Sequence, residues 1–252
     1  MEEEIKKYYR PITHQGYKYK NKLGDNGKQS WLLKEICEKF FAPKREAFIY
    51  ASDCFIYNEN AENLLPIMWG GVTLSIALYG VRVWYIKGAL NGFEQVVLFV
   101  CAFLALWFTV YYFTMPKKEI IFNRMDGTIT FPGWYWHKNI TMRFDDIKFG
   151  YTTGGPNGVG AYKLQILRPD RFGSWQFFPI GGITCYEALS FITWYMDKNR
   201  PLPPGEAFDE FRQKDFERRK AEGFPRPLYY SSLPTPEATP KQQKEREKHW
   251  RG

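Results

Sequence analysis

Two long apolar runs interrupt an otherwise polar chain, Leu64–Ile86 and Gln95–Pro116, and only the eight residues Lys87–Glu94 separate them. Leu64–Val81 holds 18 residues without a formal charge, and Gln95–Pro116 holds 22. A helix rises about 1.5 Å per residue, so about 20 residues cross a hydrocarbon core of about 30 Å. The pattern predicts transmembrane helices over 64–86 and 95–116. Their connection is too short for a domain, so they return as an antiparallel hairpin. Residues 1–63 and 117–252 are then expected on one side of the membrane.

Beyond the hairpin the period changes from helix to strand. Glu119–Asn123 is a short β-rich run, Met125-Asp126-Gly127 is a turn signal, and Thr128–Phe131 resumes with Ile129 and Phe131 on one face. Ile140–Tyr151 alternates as well, but its phase slips by one residue across Asp145-Asp146, which predicts a bulge or a break between two strands. Tyr162–Arg168 and Trp175–Ile180 read as two more strands, and Gly154–Gly158 as a loop. Thr184 and Glu187 carry the capping-box spacing that opens a helix, and Leu189, Ile192, Tyr195 and Met196 continue it until Pro201. Upstream, Trp31–Phe41 reads as a short amphipathic helix, and Phe48–Tyr57 as a strand that joins the later ones.

The fold class expected is therefore an α+β membrane protein. Its parts are an N-terminal segment 1–63, the hairpin 64–116, a small antiparallel β domain 117–200 with one C-terminal amphipathic helix, and a charged tail 201–252. Strands closed by one such helix resemble the pleckstrin-homology-like (PH-like) barrel, a resemblance that implies a binding surface and no reaction. The tail contains eight of the 16 prolines. Asp209–Glu222 is expected to be helical and to end at Gly223, and Leu233–Pro240 to be extended. A core-forming domain is not expected there, so the tail either wraps the body or stays mobile.

The charge balance narrows the partners. The net charge of +8 is dispersed: 11 basic and 10 acidic residues in 1–63, 11 and seven in 117–200, and 11 and nine in 201–252. Nucleic-acid readers carry a dense basic stripe, which is missing here, so no nucleic-acid partner is expected. Lys117, Lys118 and Arg124 follow the second apolar run, while the intervening loop offers only Lys87. That bias predicts an inner (plasma) membrane protein with both termini cytoplasmic. Met1–Arg10 is charged, so no cleavable leader is expected. Arg82 lies four residues from the end of the first run, where its guanidinium can snorkel to the interface.

Candidate chemistry is sparse. His14, His137 and His249 are isolated, adjacent Asp145 and Asp146 would point to opposite faces of a strand, and the four cysteines share no pair spacing. No catalytic set, metal site or cofactor is expected. What remains is surface: Lys117, Lys118 and Arg82 as membrane-surface candidates, and Arg143, Lys148, Lys163, Arg168, Trp134 and Trp136 as candidates for contact with lipid or a protein partner. A homo-oligomer is left open.

One resemblance adds context. Phe216-Glu-Arg-Arg-Lys-Ala-Glu-Gly-Phe-Pro225, then Pro227-Leu228-Tyr229 and Pro234-Thr-Pro-Glu-Ala-Thr-Pro-Lys-Gln-Gln243, resembles the C-terminal signature of uncharacterised proteobacterial membrane proteins found beside type VI secretion effector genes. The resemblance implies a secreted effector as protein partner and supplies no catalytic residues. The expected function is a non-enzymatic immunity protein that neutralises a membrane-acting effector. The alternatives are an effector adaptor or chaperone at the membrane, or a PH-like lipid-sensing module.

Overall fold

In the computed structural model, which describes residues 2–18, 44, 48–59, 61–153, 161–171, 174–177, 185–231 and 233–251, both apolar runs are helical. A short N-terminal helix α1 (Glu2–Tyr8) and strands β1 (Tyr50–Ala51) and β2 (Phe55–Glu59) precede them. The two long helices are α2 (Leu65–Lys87) and α3 (Gly92–Thr114), both long and apolar enough to span a membrane. Then follow β3 (Glu119–Asn123), β4 (Thr128–Phe131), β5 (Ile140–Arg143), β6 (Phe149–Thr153), β7 (Ala161–Leu167) and β8 (Trp175–Phe177). Three helices, α4 (Cys185–Met196), α5 (Arg212–Ala221) and α6 (Pro240–Arg251), complete the chain. Two compact units result: residues 59–118 with 133–139, and the remainder, called the body below.

The hairpin turns on local chemistry. Gly88 adopts φ 73°, a left-handed C-cap that glycine tolerates, and its N–H bonds Trp84 O at 2.9 Å. Asn91 Oδ1 accepts from Glu94 N at 2.8 Å and Glu94 Oε2 accepts from Asn91 N at 3.0 Å, a complete capping box. Close approach of the helices is set by small residues. A Cβ on Gly70 would lie 3.2 Å from Phe108 Cβ, and one on Gly80 would lie 3.1 Å from Leu98 Cδ1. Thr73, Ser75, Thr109 and Thr114 each donate to a carbonyl four residues earlier, so these hydroxyls need no water. The remaining surface is apolar and open, with Phe99 71% and Phe113 78% exposed.

The body contains a five-stranded sheet in the order β1-β2-β3-β4-β5 and a three-stranded sheet β6-β7-β8. Ile129 lies opposite Phe122 and Met142 in the antiparallel register of β3, β4 and β5. Both faces of the larger sheet are covered, and the period of two decides which side chain goes where. Ile56, Ile120 and Phe122 enter the main core with Leu189, Ile192 and Tyr195 of α4. Phe55, Tyr57 and Ile121 point the other way and pack with Tyr8 of α1.

Two open alternatives are decided, and other expectations are corrected. The phase slip at Asp145-Asp146 is a break, where a 3-10 turn (Phe144–Asp146) separates β5 from β6 and the two belong to different sheets. The described strands form no closed barrel. The helix limits shift to 65–87 and 92–114, because Lys87 and Glu94 continue the helices although both are charged. The tail wraps the body and enters its core: Leu202, Ala207 and Phe208 are buried, and Phe208 stacks on Tyr195 at 5.5 Å. The readings over Trp31–Phe41, Gly154–Gly158 and Thr184, and residues 178–180 of the last strand, fall outside the described residues.

Candidate functional site

Arg124 follows β3 directly and is completely buried. A guanidinium placed there must find several acceptors, and the turn after α4 and helix α5 supply them. Its Nη1 donates to Asp215 Oδ1 of α5 at 2.7 Å, and its Nη2 donates to the carbonyls of Asp197 and Arg200. Asp215 also accepts from Arg218 Nη2 at 2.9 Å and Arg219 Nε at 2.8 Å. Arg219 then grips Glu237 with a bidentate pair, 2.7 Å on each arm, and Arg246 of α6 reaches Glu237 Oε1 at 3.0 Å. A parallel branch runs through Asp197, which accepts from Arg200 Nε and from the backbone N–H groups of Leu228 and Tyr229.

Burial by itself raises the Asp215 carboxyl, but Arg124, Arg219 and Arg218 outweigh it and hold the group below its ordinary value. Arg219 is likewise drained by burial, yet Glu237 and Asp215 leave it above its ordinary value. Burial raises the hydroxyl of Tyr195, whose ring lies 5.7 Å from the Arg124 guanidinium. Three buried carboxylates, Asp197, Asp215 and Glu237, thus serve the five arginines 124, 200, 218, 219 and 246. The network pins the proline-rich strap between α5 and α6. Arg200 Nη1 bonds Thr235 Oγ1 at 3.0 Å, Arg200 Nη2 bonds Tyr229 O at 2.6 Å, and Arg246 Nη2 bonds Thr235 O at 3.0 Å.

The pinned strap forms one wall of a groove of about 860 Å³. Phe224, Pro225, Pro227, Leu233, Pro234 and Pro236 give it apolar sides, and the exposed Arg226 gives it a cationic group; Arg200 and Arg246 also line it, their guanidiniums paired with Asp197 and Glu237. None of its described lining residues is acidic. Prolines fix the backbone and offer few donors, so the wall is stiff and reads shape and charge. Among the described residues, no three His, Cys, Asp or Glu side chains gather as a metal cluster.

The sequence-derived candidates fall into three groups. Lys117, Lys118, Trp134 and Trp136 meet in the hairpin unit: Asn139 Nδ2 donates to Lys117 O at 2.9 Å, and Lys118 Nζ donates to Gly133 O and His137 O at 2.8 Å each. Lys118 is 1% exposed, so its ammonium fixes a loop and does not face lipid. Arg168 is buried too, its Nε bonded to Pro132 O at 2.8 Å, which removes it from the binding surface. Arg82 is exposed on α2, and Arg143 and Lys148 are exposed on the body, Lys148 5.6 Å from the Tyr17 ring. Lys163 lies on β7, and its side chain is outside the described residues. The groove was hidden from local reading because its residues span Arg200 to His249; the clustered prolines and the strap arginines are its trace in the sequence. Compared with known proteins, the chain matches no family model, no curated protein and no solved structure.

Proposed function

We propose that this chain is a non-enzymatic inner-membrane receptor that holds a secreted protein partner, acting as an immunity protein against a membrane-acting type VI effector. One observation carries the binding part of the reading: a stiff apolar groove with the exposed charge of Arg226, on a chain that also has two membrane-length helices. Arg226, in a groove with no carboxylate among its described lining residues, favours an acidic segment of the partner, since opposite charge accelerates encounter and like charge is repelled. The effector context comes from the resemblance of 216–243 to proteins encoded beside such effectors. A non-covalent block needs affinity alone, and no reacting group has to be supplied. The PH-like comparison adds the general idea of a sheet-borne binding surface, and no closed barrel is needed for it.

The test is co-expression of the neighbouring effector in a sensitive cell. The reading expects survival with the intact chain and lost protection with Arg226→Glu, which reverses an exposed groove charge without touching the buried network. Unchanged killing with the intact chain overturns it. Absent protection combined with reduced effector secretion on deletion supports the adaptor instead.

A further inference from the structure

Between β4 and β5 the chain runs Gly133-Trp-Tyr-Trp-His-Lys138, three large aromatics in succession on a connection that belongs to the hairpin unit. All three stay open: Trp134 is 39%, Tyr135 52% and Trp136 40% exposed. Exposed loops seldom carry such a cluster, since each ring left in water forfeits about 1.5–3 kcal/mol of burial.

The cluster is held open by its surroundings. Lys118 Nζ ties the carbonyls of Gly133 and His137, and His137 N donates to Trp134 O at 2.8 Å. Asn63, in the 3-10 turn that precedes α2, clamps the backbone of the same lysine, accepting from Lys118 N at 3.0 Å and donating to Lys118 O at 3.1 Å. Within that frame Tyr135 takes φ 42°, a left-handed conformation that costs a bulky residue about 1–3 kcal/mol. Gly133 is equally constrained, since a Cβ there would meet Lys138 O at 2.2 Å.

The level of the cluster is fixed as well. Trp136 Nε1 donates to Oγ1 of Thr114, the last residue of α3, at 2.8 Å. Its ring meets Trp107 and Tyr111 edge-on at 5.2 and 4.9 Å, and Tyr135 lies 5.8 Å from Tyr111. A helix of 23 residues is about 35 Å long, so about one turn in all extends beyond a hydrocarbon core of about 30 Å. The aromatics therefore continue the open apolar surface of Leu106, Val110 and Phe113 at the height where tryptophan and tyrosine form interfacial belts.

We propose that the loop 133–139 is a third membrane contact, an interfacial foot that places Trp134, Tyr135 and Trp136 at the boundary between lipid headgroups and acyl chains. It rests on the hairpin being in a bilayer. The lysines fit the same level: Lys117 and Lys138 are exposed beside the rings, while Lys118 is used up inside as the staple.

The test uses the full chain labelled with 5-fluorotryptophan in vesicles of zwitterionic and anionic phospholipid. Trp134→Phe and Trp136→Phe assign the two fluorine resonances. The proposal expects a headgroup-level lipid nitroxide to broaden both at least as strongly as Trp69, with protection from a gadolinium chelate in the water. Broadening by the chelate but not by lipid overturns it and places the rings in water. Protection from both probes also overturns it, and points to a second protein surface over the rings. Trp69 and Trp84, 55% exposed each on α2, separate this from failure of the hairpin reading, because they must respond to lipid whatever the loop does.

Discussion

Asp215 concentrates more of the body's organisation than any other side chain described above, because three guanidiniums converge on its two oxygens. Removing one partner of such a buried group leaves uncompensated charge and costs about 3–5 kcal/mol. Asp215→Asn is expected to lower the urea midpoint of the detergent-solubilised chain accordingly. The pH dependence has a definite sign. The folded-state pKa of Asp215 lies below its ordinary value of 3.8, so its contribution is present above that value and is lost as pH falls through the lowered one. The gap between the intact chain and Asp215→Asn is therefore expected to close as pH drops below about 4. A gap that did not narrow at all as pH was lowered below about 4 would show that the charge is not the cause. Lys118 makes a smaller test of the same kind. Lys118→Met leaves the buried carbonyl of Gly133 and the half-buried one of His137 without this donor, at about 1–3 kcal/mol, and trypsin is expected to cut faster at Lys138.

At the scale of elements, the hairpin depends on two neighbouring glycines unequally. Gly70→Leu drives a side chain into Phe108, whereas a Cβ on Gly71 meets nothing within 4 Å. Gly70→Leu is expected to lower the melting temperature in detergent by several degrees, and Gly71→Leu to leave it nearly unchanged; equal effects would show that helix contact is not at Gly70. The helices, β3 and β4 were legible because each rests on a local period, and β3 and β4 occupy the expected residues. The start of α3 was legible in part: Asn91 and Glu94 carry capping-box spacing, but a search for uncharged residues begins at Gln95. The tail was legible only as the helix that became α5, and its burial was not. Its arginines and glutamates look like a solvated helix until Arg124, 91 positions away, is placed against Asp215. The burial of Lys118 was hidden for the same reason, since its acceptors lie 15 and 19 residues downstream.

At the scale of the whole molecule, two unlike devices are joined in one chain. One unit has the hydroxyls of Thr73, Ser75, Thr109 and Thr114 satisfied within its helices and large apolar side chains turned outward. The other buries its apolar side chains and holds a charged tail in place with buried ion pairs. The first is suited to lipid as solvent and the second to water. The charge of the groove adds a prediction at this scale: affinity for an acidic partner is expected to fall as salt is raised, and more steeply for the intact chain than for Arg226→Glu.

The most direct measurement is extraction of the full chain from cell membranes. A chain spanning the bilayer twice stays in the pellet through washes in high salt and alkaline carbonate, and leaves only with detergent. Recovery in the carbonate supernatant as a dispersed, detergent-free species would contradict the account at its foundation.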